Sequence, residues 1–177
     1  KVSEVITGTY RAIENYSMEW GKNYEPEAAL LLKNEYPDMI YYGKENPTFI
    51  EYSDWSGGSP DTEMPEAKMI GEIKCPENPA VHVKYCKIIG GETMLKLFKD
   101  CWFQMQFNMA AVAKKLGCDP MEMRGIFVSY CPIVNDGFKK YHRAFIYPDQ
   151  EFMDRLPTVI EAAEKELKKR VNEMKTK

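Results

Sequence analysis

A glutamate and a lysine stand two positions apart in the stretch MIGEIKCP, residues 69–76. Residues i and i+2 of a β-strand point to the same face, so Glu72 and Lys74 would share a face while Ile73 points into the core. Pro76 would end the strand, because it has no N–H to donate to a neighbouring strand. Such a pair can bind a metal ion and orient a water molecule, but it is also commonly a surface ion pair of small energetic value.

A second carboxylate can be brought beside Glu72. Asp61 follows Pro60 at the end of the glycine-rich stretch SGGSPD, and a hairpin leads from it to the strand of Glu72. Adjacent carboxylates repel each other unless a cation lies between them. Mg²⁺ is bound by carboxylates, carbonyls, waters and substrate phosphates, which fits such a pair. The alternative is that Asp61 is a turn residue, since aspartate is favoured in turns.

Two further polar residues extend the candidate site. Glu25 lies between Gly21 and a predicted helix, where it could hold a second metal or a metal-bound water, or serve as an acid favoured by the helix dipole. Gln104 and Asn108 are spaced i, i+4 and share one face of another predicted helix. Amides among apolar neighbours need partners, so both structural hydrogen bonding and contact with a metal site or nucleotide stay open.

The pattern of apolar residues, prolines and glycines predicts the elements that position these side chains. Helical spacing covers residues 3–20, Gly21 interrupts it, and a second helix with Pro26 in its first turn is stopped by Pro37. This order of elements predicts one α/β domain with a mixed sheet, spanning residues 1–177. The other predicted helices cover 25–36, 79–89, 92–116 (ending at Gly117) and 149–175, and the predicted strands cover 39–43, 48–52, 67–74, 124–130 and 141–147.

Composition excludes several classes of protein. The chain has 177 residues, of which 44% are apolar and 29% charged, as in ordinary globular domains. No apolar run is long enough to span a membrane. Lys1 is not a start methionine and the first residues read as the inside of a helix, so we expect the native N-terminal segment to be missing. A net charge of −3 argues against nucleic-acid binding by bulk charge, although local lysine and arginine clusters leave room for a basic groove.

Cysteine and histidine positions argue against a zinc or disulfide framework. The five cysteines are scattered and form no C-x-x-C, which favours a reducing compartment. The two histidines, His82 and His142, lack partners at ligand spacing, so we expect both at the surface or at its boundary.

Four motifs occur in an order and spacing that resemble the PD-(D/E)xK nucleases. They are WGKNYE (20–25), SPD (59–61), GEIKCP (71–76) and FQMQ (103–106). More narrowly, the chain is similar to the phage-type alkaline exonucleases and YqaJ-like viral recombinases, the family of lambda exonuclease. The resemblance covers essentially the whole chain. It implies an α/β fold with a restriction-endonuclease-like core, a central mixed β-sheet flanked by helices.

The resemblance assigns roles to the residues of the strand and hairpin. Asp61 and Glu72 would be metal-binding carboxylates, and the backbone carbonyl of Ile73 a further ligand. Lys74 would be the catalytic lysine, orienting the attacking water and offsetting negative charge. The implied cofactor is Mg²⁺, with Mn²⁺ as a substitute, at one or two ions per site.

The resemblance also covers the two helices. Glu25 matches the glutamate of the family's G-x-x-x-E motif, a catalytic residue at a second metal or metal-bound water. Glu27 is a rival for this role, but the count from Gly21 favours Glu25. Gln104 matches the helix glutamine, which is expected to bind substrate.

The implied activity is metal-dependent 5′→3′ hydrolysis of phosphodiester bonds in linear double-stranded DNA during phage-type recombination. Implied partners are DNA ends, further copies of the chain in a trimeric ring with a basic inner face, and a single-strand annealing protein, with no membrane. The implied location is the cytoplasm of a bacterium or phage-infected host. Family members grip the DNA end through a segment that would precede this sequence. The alternatives are therefore an endonuclease or repair nuclease on the same core, an inactive DNA-end-binding module, and a structural domain with coincidental motifs.

Overall fold

Helices and strands follow one another in the order of an α/β fold. The computed structural model describes residues 16–175. The elements are α1 (Tyr16–Lys33), β1 (Ile40–Tyr41), β2 (Ile50–Ser53), β3 (Ser56–Gly58), β4 (Thr62–Met64), β5 (Met69–Lys74), α2 (Pro79–Tyr85), α3 (Gly91–Leu97), α4 (Lys99–Leu116), a 3₁₀ turn (Pro120–Glu122), β6 (Arg124–Tyr130), β7 (Tyr141–Ile146) and α5 (Gln150–Lys175).

The central sheet has five strands in the order β1-β4-β5-β6-β7. The β5–β6 pair is parallel and the other three pairs are antiparallel, so the sheet is mixed as predicted. A parallel pair needs a long crossover, and α2, α3 and α4 form it between β5 and β6. Strands β2 and β3 form a separate two-stranded hairpin. Strand β5 therefore lies at the centre of the sheet.

Helices cover both faces of β5. Met69 and Ile73 pack in the cluster that contains Ala28 and Leu32 of α1. Ile70 packs in the cluster formed largely by α4 residues. Because side chains alternate along a strand, Glu72 and Lys74 lie on the same face as Ile70, which is the face covered by α4.

The predicted break at Gly21 is wrong. Helix α1 runs without interruption through Gly21 and Pro26, and it ends at Lys33 rather than being stopped by Pro37. Glycine and proline cost a helix interior about 1 and 3 kcal/mol, so packing of the buried face around Leu32 must outweigh both. The predicted helical residues 3–15 lie outside the described part of the chain.

The predicted single helix over 92–116 is also wrong. The chain leaves helical geometry at Phe98, with φ −144° and ψ 67°, and this separates α3 from α4. The Phe98 ring instead packs on Tyr85 of α2, with 4.3 Å between ring centroids. The predicted end at Gly117 is confirmed, since this residue adopts the left-handed conformation (φ 68°) that ends many helices.

His82 is fully buried, which contradicts the expected position at the surface or at its boundary. Its Nε2 lies 2.7 Å from the Lys139 carbonyl oxygen and therefore donates, so its Nδ1 accepts from the Ser129 hydroxyl at 2.8 Å. Both ring nitrogens are satisfied, which makes burial of a neutral imidazole favourable, and burial lowers the pKa of His82. Half-buried His142 lies 2.8 Å from the Ile88 carbonyl.

All five cysteines are free thiols. Within residues 16–175, no helix combines the length and the apolar character that crossing a membrane requires.

Candidate active site

The β4–β5 hairpin brings Asp61 and Glu72 together. Thr62 pairs with Gly71, and continuing this antiparallel register places Asp61 opposite Glu72. The Asp61 N–H donates to the Gly71 carbonyl at 3.1 Å, and the Ile73 N–H donates to Asp61 Oδ2 at 2.6 Å. The predicted hairpin thus forms, and Asp61 is held at the point where β4 begins.

Glu72 and Lys74 form a close ion pair on the α4 face of β5. Lys74 Nζ lies 2.5 Å from Glu72 Oε1, and the Glu72 side chain is 1% exposed whereas that of Lys74 is 30% exposed. The second oxygen, Glu72 Oε2, is buried and has no partner of ordinary hydrogen-bond geometry among the described residues. A buried, unpaired carboxylate oxygen is unfavourable, so this atom offers a binding position to a cation.

Burial raises the pKa of each acidic group of the site, and repulsion between the carboxylates adds to the effect at Asp61 and Glu25. Burial, followed by repulsion from Glu72 and Glu25, raises the pKa of Asp61 well above its usual range, although Lys74 and the Ile73 N–H oppose the shift. Burial also raises the pKa of Glu72 against the opposing effect of Lys74. Without a cation, the site therefore favours protonation of its carboxyl groups.

The Lys74 side chain stays charged next to these carboxyl groups. Burial alone would lower the pKa of its ammonium group, but Glu72 and Asp61 raise the pKa overall, so the group stays charged. Gln104 Oε1 lies 3.5 Å from Lys74 Nζ, and the Gln104 side chain is exposed at the edge of the site. Lys74 thus connects a buried carboxylate to a solvent-facing amide.

Glu25 joins this group from helix α1. The side chain is half-buried, and its Oε1 accepts a hydrogen bond from the Tyr41 hydroxyl at 3.1 Å. Burial raises the pKa of Glu25, Tyr41 opposes the shift, and Glu72 adds to it. Glu27 instead is exposed and accepts from the Tyr130 hydroxyl at 2.8 Å. The structure therefore places Glu25, rather than Glu27, beside the strand carboxylates.

The amide side chains of α4 divide into two kinds. Gln104 faces Lys74, whereas buried Gln106 donates to the Tyr147 carbonyl and accepts from the Asp149 N–H, both at 2.9 Å. Asn108 is buried against β3, where a Cβ atom on Gly58 would lie 2.5 Å from the Asn108 Oδ1. Structural hydrogen bonds therefore hold Gln106, whereas Asn108 is packed against β3 and its buried Nδ2 has no hydrogen-bond partner among the described residues. Of these three amides, only Gln104 contacts the candidate site.

Two tyrosines of the site were not anticipated from the sequence. Tyr41 contacts Glu25, and Tyr85 lies near Lys74, Glu72 and Cys101, where burial and the Cys101 thiol raise the pKa of Tyr85 to about 12. In the sequence Tyr41 stands in the strand-like stretch MIYY and Tyr85 between Lys84 and Cys86, and neither belongs to a motif that points to the site. Only the tertiary contacts distinguish them.

The donor set suits a hard divalent cation. Within residues 16–175, no three His, Cys, Asp or Glu side chains form a ready-made metal-binding cluster. Mg²⁺ needs no such cluster, because it is commonly bound by one or two carboxylates together with waters and substrate phosphates. The Ile73 carbonyl lies on the same edge of β5 as its N–H, which faces Asp61. Asp61, Glu72 and this carbonyl could therefore supply oxygen ligands, and the position of Glu72 Oε2, buried without a partner of ordinary hydrogen-bond geometry among the described residues, fits a cation.

Solved structures with the same fold are exonucleases. An alkaline exonuclease from Laribacter hongkongensis matches with a TM-score of 0.71 and 24% identity, over 99% of this chain and 79% of that one. Its complex with dAMP matches with a TM-score of 0.71 and 25% identity, over 99% and 80% of the two chains. The chain has the fold of the phage-type alkaline exonucleases. A phage-related exonuclease from Haemophilus somnus 129PT agrees, with a TM-score of 0.68 and 14% identity, over 98% of this chain and 80% of that chain.

No family model and no curated protein matches the sequence. The structural matches nevertheless confirm both the predicted fold class and the predicted resemblance to the lambda exonuclease and YqaJ-like family. They support a nuclease of this type. The catalytic and metal-binding roles of the individual residues stay predictions.

The raised pKa of Asp61 predicts that Asp61→Asn stabilises the metal-free protein. A carboxyl group whose folded-state pKa is raised contributes stability at low pH, and this contribution is lost as pH rises through the folded-state pKa. Asparagine removes the charge and can still accept from the Ile73 N–H. We expect the free energy of unfolding in EDTA at pH 8 to rise by about 0.5–2 kcal/mol, with the gain shrinking as pH falls. Urea unfolding at several pH values measures it.

Asp119→Asn is the matched control. Asp119 also accepts a backbone N–H, from Met121 at 2.8 Å, but it is exposed in a turn. This variant should show no comparable gain. Mg²⁺ should stabilise the wild type more than Asp61→Asn, because a ligand that binds the folded state raises its stability. Equal stability of Asp61→Asn and wild type at every pH would contradict the electrostatic account.

Proposed function

We propose that this protein is a divalent-metal-dependent 5′→3′ exonuclease that hydrolyses phosphodiester bonds of linear double-stranded DNA. The main support is that Asp61 and Glu72 are adjacent and that Lys74 is ion-paired to Glu72. This arrangement occurs in a fold shared with exonucleases. The neighbour bound to dAMP supports this substrate class, because a deoxynucleoside monophosphate is what stepwise hydrolysis of DNA releases.

Asp61, Glu72 and the Ile73 carbonyl would hold Mg²⁺, or Mn²⁺ in its place. Bound there, a divalent cation would supply Lewis-acid chemistry, which polarises a phosphate and lowers the pKa of water. Glu25, half-buried beside these groups, would serve a second cation or a water molecule. The three candidate ligands are all oxygen donors, which favours such oxygen-preferring ions over zinc.

Lys74 and Gln104 would act on the water and the substrate. The Lys74 ammonium stays charged and is partly exposed, so it can orient the attacking water and offset the negative charge that develops on the phosphate. Gln104 lies at the exposed edge beside Lys74, where its amide can hydrogen-bond to the DNA. Glu72 keeps the lysine in place before substrate binds.

The proposed partners are DNA ends, further copies of the chain and a single-strand annealing protein. The proposed role is phage-type recombination in the cytoplasm of a bacterium or an infected host. A trimeric ring would reconcile the net charge of −3 with DNA binding, since only its inner face need be basic.

Cleavage of linear duplex should require Mg²⁺ or Mn²⁺, and closed circles should resist. Cleavage should depend on the metal because the carboxylate site would bind it. Closed circles should resist because an exonuclease needs a DNA end. End-labelled linear DNA and covalently closed DNA, each incubated with Mg²⁺ or with excess EDTA, test both points, and the order in which 5′ and 3′ labels are released gives the polarity. Rapid cutting of closed circles would assign an endonuclease instead, and full activity in EDTA would contradict the metal site.

Replacing Lys74 should stop hydrolysis while leaving cation binding in place. Lys74→Ala removes a preorganised positive group, and losses of this kind lower the rate by about 10²–10³. Single-turnover cleavage and Mn²⁺ titration measure the two effects separately. The variant must also be compared for stability, because it leaves Glu72 buried without its partner.

Lys115→Ala is the matched control for this loss of a partner. Lys115 Nζ lies 2.7 Å from Glu63 Oε2, and Glu63 is as buried as Glu72. Lys115→Ala therefore also removes the lysine partner of a buried glutamate outside the candidate site, although Glu63 Oε2 still accepts from the Tyr42 hydroxyl. We expect it to lower stability and to retain hydrolysis. Wild-type cleavage by Lys74→Ala would contradict the assignment of β5 as the catalytic strand.

The protein should form a homo-oligomer that binds DNA through a basic inner surface. Because phosphate contacts release counterions, affinity for linear duplex should fall steeply as salt rises. Light scattering gives the mass in solution, and binding at several salt concentrations gives the slope. A monomer at all working concentrations would contradict the ring.

A further inference from the structure

Strand β1 carries a tyrosine that links helix α1 to the catalytic edge of the sheet. The Tyr41 hydroxyl donates to Glu25 Oε1 at 3.1 Å. In the β1–β4 pair Tyr41 lies opposite Thr62, and the next residue, Tyr42, donates its backbone N–H to the Asp61 carbonyl at 2.8 Å. The tyrosine that contacts Glu25 is therefore held on the same pair of strands as Asp61.

The Tyr41 ring is fixed in its position by close packing. It lies so near the backbone of residue 43 that a Cβ atom on Gly43 would come within 2.5 Å of the ring. The ring also packs against the buried cluster that contains Ala28 and Ile73. The ring so placed directs its hydroxyl at Glu25 Oε1, to which it donates the hydrogen bond.

Glu25 needs such a partner because it reaches the site from a different element. Asp61 and Glu72 are fixed by adjacent strands, whereas Glu25 extends from α1 on a flexible side chain. Residues that hydrogen-bond to ligands orient them, and their replacement typically weakens metal binding or activity about 10–100-fold.

We propose that Tyr41 is a positioning residue that holds Glu25 in place for a second divalent cation. The inference rests on the proposed metal-dependent function and adds a residue to it. Tyr41 acts through Glu25 and takes no part in the bond-breaking step. It links the position of the helix carboxylate to that of Asp61.

Removal of one hydroxyl tests this role. Mn²⁺ binding to wild type, Tyr41→Phe and Glu25→Gln is followed by electron paramagnetic resonance, and cleavage of linear duplex is measured across Mg²⁺ concentrations. Tyr41→Phe should weaken one class of Mn²⁺ site about 10–100-fold and raise the half-saturating Mg²⁺ concentration similarly. Saturating Mg²⁺ should restore most of its maximal rate. Glu25→Gln should lose the same class of site without such rescue, and the double variant should bind Mn²⁺ no more weakly than Glu25→Gln.

Tyr42→Phe is the matched control. Tyr42 is the next residue and also donates from its hydroxyl to a carboxylate, Glu63 Oε2, at 2.8 Å, but Glu63 is paired with Lys115 outside the candidate site. This variant should keep wild-type Mn²⁺ binding and Mg²⁺ dependence. It therefore separates loss of a site hydrogen bond from loss of a tyrosine hydroxyl in general.

The outcomes separate this inference from the proposed function. The role of Tyr41 is overturned if Tyr41→Phe shows unchanged Mn²⁺ binding and Mg²⁺ dependence, or if the wild type has only one class of cation site. In either case the exonuclease assignment stays in place if the wild type cleaves linear DNA. Weaker Mn²⁺ binding in Tyr41→Phe, together with no cleavage of linear DNA by the wild type, supports the role of Tyr41 and overturns the exonuclease.

Discussion

Repulsion between carboxylates held close together and largely out of water is the constraint on which the candidate site depends. Asp61 and Glu72 lie across adjacent strands, and burial and mutual repulsion raise the pKa of Asp61. Lys74 and the Gln104 amide offset only part of the cost of burying Glu72, since its pKa remains raised and its Oε2 has no partner of ordinary hydrogen-bond geometry among the described residues. A divalent cation would remove both costs at once. The apo fold must therefore hold together groups that repel each other, and this requires a rigid scaffold.

The scaffold is the pairing of β5 on both sides and its burial between helices. The hydrogen bonds of β4 and β6 fix the backbone of β5, and Ile73 anchors it against α1. The alternation that sends Ile73 to one face sends Glu72 and Lys74 to the other, beneath α4. The position of the ion pair thus follows from the same periodicity that builds the core. A slip of the strand by one residue would turn Lys74 towards the apolar cluster of α1 and Ile73 towards the α4 face.

The sequence predicted well what depends on local pattern, and less well what depends on packing. The period of two in β5 and the position of Asp61 just before it were sufficient to predict the hairpin and its pair of carboxylates. Strand β3 (Ser56–Gly58) was not predicted, because its glycines disfavour a strand locally. The continuity of α1 was missed, because local propensity at Gly21 and Pro26 opposes it and only tertiary packing overrides that preference. Tyr41 was missed for a similar reason. Its contact with Glu25 joins residues of a strand and a helix, and no spacing rule relates them.

Two buried glutamate–lysine pairs in this fold show what distinguishes a candidate site from a structural ion pair. Both oxygens of Glu63 accept from Lys115, and one also accepts from Tyr42, so this carboxylate is fully satisfied by the protein. Glu72 is equally buried, yet one of its oxygens has no partner in the described part of the chain, and two further carboxylates lie nearby. Burial and charge pairing are common to both. The difference is that the carboxylate of Glu72 is incompletely compensated by the protein, and a bound cation or a proton would complete the compensation.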